Sequence, residues 1–134
     1  MPMEKVKYIL TKEDLDNYYI RAKIAGQEVG YAWFTLSRHR AYLHFIGVNE
    51  NFRNLHIGSN LLNCVENFCC KEGAHSIEGD FYPKGISKEH CLSFYKKNGY
   101  SYTVDDYDHI LTKYFARTTP SVSSVNYTDC RTRQ

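Results

Sequence analysis

Hydrophobic positions recur with two different periods along this chain, and the change of period divides it. Up to residue 48 the apolar residues come in short runs separated by tight polar links. Residues 6–10 read as a first strand and residues 17–25 as a second with partial alternation. Residues 29–36 (V-G-Y-A-W-F-T-L) and 41–48 (A-Y-L-H-F-I-G-V) read as a third and a fourth. Gly26-Gln27 and residues 37–40 are the turns, so the second to fourth strands form an antiparallel meander. Between the first two strands, Thr11-Lys-Glu-Asp14 looks like a capped helix start with early acidic residues. The link leaves room for a turn or two of helix at most.

Beyond residues 49–52 the period lengthens. Ile57, Leu61, Leu62, Val65, Phe68 and Cys69 recur at three- and four-residue steps, which predicts an amphipathic helix over 58–71 closed by Gly73. Residues 76–82 read as a strand ending at Pro83. Residues 87–98 read as a second helix, with Cys91, Leu92, Phe94 and Tyr95 on its apolar side and Asn98-Gly99 as its stop. Residues 100–104 and 109–115 read as a closing hairpin. From residue 116 the composition turns to Ser, Thr, Arg and Asn, which predicts a domain over 1–115 followed by a polar, flexible tail over 116–134. The order predicts an α+β fold: a mixed central sheet of six to seven strands with helices packed on it.

Composition narrows the function. With 134 residues, 43% hydrophobic and 15% aromatic, the chain can fill one core. A net charge of +2 without a basic stripe argues against direct nucleic-acid binding. No apolar run reaches the roughly 20 residues of a membrane span, and the first residues lack a signal-peptide h-region, so a cytoplasmic protein without membrane attachment is expected. The five cysteines (Cys64, Cys69, Cys70, Cys91 and Cys130) form no C-x-x-C pair. No metal site is expected; the helical ones read as small buried hydrophobes.

The informative stretch runs from Val48 through Arg53-N-L-H-I-Gly58-Ser59 to Leu61-Leu62. A strand passes through a short loop directly into an amphipathic helix. The first N–H groups of such a helix have no internal partners and carry partial positive charge, which makes the turn an anion site. Gly58 lets backbone approach closely, Ser59 adds a hydroxyl, and Arg53 adds charge.

This segment resembles motif A of the GNAT acetyltransferases, [Q/R]-x-x-G-x-[G/A]. Downstream, C-L-S-F-Y-K-K-N-G-Y is similar to the family's motif B. The resemblance covers roughly residues 3–115 and implies acetyl-CoA as cosubstrate. It places pantetheine contacts on Ile46, Gly47 and Val48, and the pyrophosphate over the backbone of Arg53, Asn54, Leu55, His56, Ile57, Gly58 and Ser59. Two positions depart from the pattern. His56 stands where the family has its first Gly, so left-handed backbone there would be strained, and Lys88 stands where many members have an Asn.

The chemistry implied is N-acetyl transfer to a primary amine by direct attack in a ternary complex. The amine must lose a proton, the carbonyl oxygen needs a donor, and the leaving sulfur needs an acid. The resemblance assigns the acid to Tyr95 and makes the Val48 amide an oxyanion donor. Glu50, the carboxylate nearest the strand end in sequence, is the expected base, with Glu78, Asp80 and His44 as alternatives. The short link between the first two strands implies a wide acceptor groove. Together with the Y-P-x-x-I-S-x-E-x-x-x-x-F-Y shape of residues 82–95, it is similar to miniature phage-borne GNATs, a group that includes protein-lysine acetyltransferases used as anti-CRISPR factors. The expected partner is therefore an acceptor amine, preferably a protein lysine. The alternatives are a small-molecule amine (polyamine, amino sugar or amino acid) and a non-catalytic CoA-fold binding module. The sequence leaves oligomeric state open, a homodimer among the options.

Overall fold

The computed structural model describes residues 5–80, 88–104, 109–115 and 127–129. Four strands come first: β1 (Val6–Lys12), β2 (Asn17–Ile24), β3 (Gln27–Ser37) and β4 (Arg40–Val48). A single 3-10 turn (Glu50–Phe52) leads to helix α1 (Ile57–Lys71), then β5 (Ser76–Asp80), helix α2 (Lys88–Lys97), β6 (Ser101–Val104), β7 (His109–Tyr114) and β8 (Thr128–Asp129). They form one mixed sheet in the order β6-β7-β5-β4-β3-β2-β1-β8. Neighbours are antiparallel except β4–β5, joined by the α1 crossover, and β1–β8. The fold is α+β as expected, with an eighth strand beyond the six to seven the sequence predicts.

The helical turn expected at Thr11 does not form. Thr11 and Lys12 continue β1, paired with Tyr19 and Tyr18, and the Glu13 amide donates to the Asn17 carbonyl at 2.9 Å to close a hairpin. A first helical turn fixes three residues for one hydrogen bond. Residues 13–16 cannot offset that cost when ladder pairing is available on both sides, and Asp14 instead accepts a hydrogen bond from Asn17 Nδ2 at 2.7 Å.

The polar tail is also not loose throughout. Thr128 and Asp129 pair in parallel with Ile9 and Leu10, and the Tyr127 ring meets Phe68 edge-on. One aromatic residue gives this polar stretch a hold on the core.

Strand alternation and the α1 stripe build that core. Leu10, Tyr18, Ile20, Ala22, Ala32, Phe34, Ala41 and Leu43 from the sheet meet Ile57, Leu61, Leu62, Val65 and Phe68 from α1, all buried. The rings of Tyr18, Phe34 and Phe68 touch one another, with centroids 4.9–5.9 Å apart. Beside this apolar stripe lies a polar network. The buried Glu66 carboxylate accepts from Tyr100 Oη at 2.7 Å and from Lys113 Nζ at 2.8 Å. Lys113 also donates to the Asn98 carbonyl at 2.9 Å, so α1, the end of α2 and β7 are locked together.

Candidate functional site at the opening between β4 and β5

β4 and β5 pair only from Arg40–Ser76 to Leu43–Gly79. β4 then runs on to Val48 along β3 alone, with no strand on its other side among the described residues. At the parting point β4 bulges. Trp33 faces Phe45 and Phe34 faces Leu43, so His44 is the extra residue. A bulge bends its strand and re-aims side chains, here opening a gap at the carboxyl ends of two parallel strands.

Beyond the bulge, hydrogen-bonded and open positions alternate. The Asn49 amide donates to the Val29 carbonyl at 2.7 Å, which makes Asn49–Val29 a hydrogen-bonded pair. In an antiparallel ladder the next pair, Val48–Gly30, then turns its N–H and C=O away from the partner strand, and so does Ile46–Ala32. Ile46 and Val48 therefore present backbone groups to the open side, while Gly47 is tied to β3. Close packing at Gly47 points the same way. A Cβ on Gly30 would lie 2.8 Å from the Gly47 carbonyl oxygen, and one on Gly47 would lie 2.7 Å from the Phe45 ring.

The turn into α1 continues this line. Arg53 has φ −72°, Asn54 φ 69° and His56 φ 60°, ψ 17°. Arg53 itself is extended, with ψ 162°; the left-handed His56 followed by the right-handed first residue of α1 turns successive amides to one concave side, a nest for anions. His56 is the N-cap of α1, in left-handed backbone at the position where the family has Gly; its side chain is exposed and makes no capping hydrogen bond. The first helical bond is made by the Asn60 amide to the His56 carbonyl at 3.0 Å, which leaves the amides of Ile57, Gly58 and Ser59 outside the intrahelical ladder. These residues fit a diphosphate. A Cβ on Gly58 would sit 3.5 Å from the Phe94 ring, an ordinary packing distance, so α1 and α2 meet closely at this residue. Arg53 lies along the strand end, its Nε donating to the Val48 carbonyl at 3.3 Å, and Leu55 is exposed. The side chain of Lys88 and residues 82–87 lie outside the described residues.

Tyr95 reaches the gap from α2. A narrow cleft of about 30 Å³ is lined by Leu43, His44, Phe45, Glu78, Asp80 and Tyr95, among others. The Tyr95 ring packs edge-on against Phe94 and Tyr100, and burial, aided by Cys91, pushes its phenol up to about 12. It therefore keeps its proton at all physiological pH.

His44 lies in the same cleft. Its ring stacks on Trp33 at 4.4 Å and meets Tyr42 at 4.9 Å, and Nε2 lies 3.1 Å from Thr35 Oγ1. When Nε2 donates to that hydroxyl, Nδ1 keeps the lone pair. Desolvation lowers the pKa of His44 below the ordinary 6.5, partly opposed by Asp80, so the imidazole is neutral at neutral pH. Tyr42 is pushed up to about 12, by burial first and then by its hydrogen bond with Asp80. Glu50 lies elsewhere: it begins the 3-10 turn, is exposed, and does not line the cleft. The structure thus brings Tyr95 together with His44, Glu78 and Asp80, and sets Glu50 apart from them. No group of three potential metal ligands comes together among the described residues, and none of their helices is long and apolar enough to cross a membrane.

Comparison with known proteins agrees with this geometry. The profile of the Acetyltransferase (GNAT) family matches residues 2–100. No curated protein sequence matches the chain. Among solved structures, the PaiA N-acetyltransferase from Thermoplasma acidophilum in complex with coenzyme A superposes with a TM-score of 0.67 at 22% identity, over 75% of this chain and 62% of that one. Arabidopsis thaliana Naa50, bound to the bisubstrate analogue CoA-Ac-MVNAL, gives 0.61 at 27% identity over 72% of each chain. An acetyltransferase from Thermus thermophilus gives 0.63 at 16% identity, over 77% of this chain and 67% of that one. The present chain spans less than two thirds of the Thermoplasma protein. With a family profile covering most of its length and the family's strand–turn–helix cradle in place, the chain belongs to the GNAT acetyltransferase family.

Proposed function

We propose that this protein is an N-acetyltransferase that moves an acetyl group from acetyl-CoA to a primary amine of a polypeptide, by direct attack in a ternary complex. One observation carries the reading. The open backbone groups of Ile46 and the open amide of Val48 run from the anion nest at residues 56–59 to a cleft that holds a protonated phenol and a neutral imidazole. Bound along that line, acetyl-CoA would supply an acetyl thioester at the cleft. His44 is the base, taking the proton of the incoming ammonium at Nδ1, directly or through water. Tyr95 holds a proton for the sulfur side of the cleft. The open-facing Val48 amide is a donor for the carbonyl oxygen.

The polypeptide acceptor is favoured by what lies beside the cleft. A four-residue hairpin link (13–16) stands between β1 and β2, so no helix from that link walls the outer face of β2–β4. That breadth suits a chain more than an enclosed metabolite, and the peptide-bearing analogue on Naa50 is an example of such an acceptor on a similar fold.

The test is turnover of a lysine peptide with acetyl-CoA, followed against pH with the acceptor saturating. A base whose folded pKa is lowered is available above that pKa and lost below it, so kcat should hold through neutrality and fall on an acid limb centred below 6.5. His44→Gln should remove the limb along with most of the rate. A limb unchanged in that variant would move the base elsewhere, and Glu50 would be examined next. Turnover of free polyamines or amino sugars but of no peptide would sink the acceptor assignment.

A further inference from the structure

A second, open hollow of about 420 Å³ lies on the outer face of the sheet and is lined by Glu13, Tyr19, Arg21, Glu28 and Tyr31. Its position relative to the cleft follows from the register. Tyr19 on its wall is opposite Trp33, and Trp33 is opposite Phe45, which lines the cleft. Two strand spacings therefore separate this wall from the cleft, about 10 Å. Between them the surface is aromatic: Tyr19 stacks on Trp33 at 8°, Trp33 stacks on His44, and Tyr31 meets Phe45 at 4.9 Å.

The donors and acceptors in this cavity are unequal. Arg21 donates to Thr11 Oγ1 at 2.9 Å, pairs with Glu13 and Glu28 at 3.3 Å each, and lies over the Tyr19 ring at 4.6 Å. Most of its fork is engaged, whereas each carboxylate has about four acceptor sites and gives few of them to Arg21. Two carboxylates around one guanidinium leave a net negative charge among the lining residues, beside the Tyr31 ring, whose face is itself attractive to cations; Tyr19 is already covered by Arg21 and Trp33. Lys23, opposite Glu28 in the register, does not line the cavity. The surplus is in acceptors, so the complementary ligand is a cationic donor.

Building on the acyl-transfer reading above, we infer that this cavity is an acceptor subsite for an arginine or lysine side chain of the substrate polypeptide, flanking the residue that is acetylated. A chain rising about 3.3 Å per residue covers that 10 Å in roughly three residues, which places the basic residue two to four positions from the acceptor lysine, on one side of it. A free small amine has no second side chain to deliver there.

The test uses peptides with one acceptor lysine and a single arginine stepped from one to six positions away on either side, all other residues neutral. The subsite predicts kcat/KM about tenfold higher at a separation of two to four residues on one side only, expressed in KM, as expected for one exposed ion pair plus a cation–π contact. Glu28→Gln should flatten this preference, and Glu72→Gln, at the far end of α1, should keep it. Equal turnover at every separation, or a better rate with glutamate in place of the arginine, overturns the subsite while leaving the peptide acetyltransferase intact. Acetylation of none of the peptides overturns the parent reading, and the subsite with it.

Discussion

Tyr18 and Tyr19 are neighbours in the chain and belong to two different regimes. Tyr18 points to the α1 side, is 6% exposed, and packs against Phe34 and Phe68. Tyr19 points to the other side, half-buried, between the Trp33 ring and the Arg21 guanidinium. The same alternation runs through β3 and through β4 up to the bulge at His44. On one face every large side chain is enclosed and fixed by volume. On the other, rings stack on rings with edges in water, and His44, Tyr42 and Arg21 sit among them. Residues on the first face hold the sheet; residues on the second remain available for chemistry and recognition. Substitutions on the two faces should therefore separate stability from turnover.

The largest effect is expected on the enclosed face. Phe68→Ala leaves a cavity beneath Tyr18 and Phe34 and should cost about 3–5 kcal/mol, read as a fall in the denaturant midpoint. Its counterpart Trp33→Ala, on the outer face, should cost far less; equal losses would break the comparison. Next comes the cleft. Tyr95→Phe should lower kcat by about 100-fold or more with coenzyme binding retained, measured by steady-state kinetics beside a thermal-shift titration. A variant with full turnover would show that Tyr95 is only a packing ring. Lys113→Met leaves the buried Glu66 without its cation and should destabilise by about 2–3 kcal/mol, since Lys113 is itself partly exposed. Chemical denaturation measures it directly. The smallest change is His56→Gly. Relief of left-handed backbone strain is worth about 1 kcal/mol, less the extra freedom that Gly gives the unfolded chain, so stability should hold or rise slightly. Calorimetric coenzyme affinity should not fall, and a marked fall would mean that the imidazole itself contacts the phosphates.

Much of the frame was readable from residue order. The α1 stripe is local, so spacing located it; the turn from Arg53 to Ser59 was marked by its resemblance to motif A, and the left-handed demand on His56 could be anticipated from the pattern it interrupts. The features that residue order does not reveal depend on distant pairing. Thr11-Lys-Glu-Asp14 carries a helix-start signature, but ladder bonds to β2 override it. Glu50 is nearest the strand end in sequence, yet the bulge at His44 decides which side chain enters the cleft, and a bulge is a relation between two strands. The Glu66–Tyr100–Lys113 network joins residues 34 and 47 positions apart, beyond the reach of any local pattern. β8 has two residues and no apolar run to announce it.

That small strand has a practical side. An unpaired strand edge is a template for joining another chain, and Thr128 with Asp129 covers Ile9 and Leu10 on the outermost long strand of the sheet. Shortening the protein before Tyr127, or fusing a partner there, would strip this guard from β1 and release the Tyr127 ring from Phe68. Versions trimmed in that way should self-associate at concentrations where the full chain stays dispersed, which makes the far terminus a safer place for a tag than the polar sequence leading up to it.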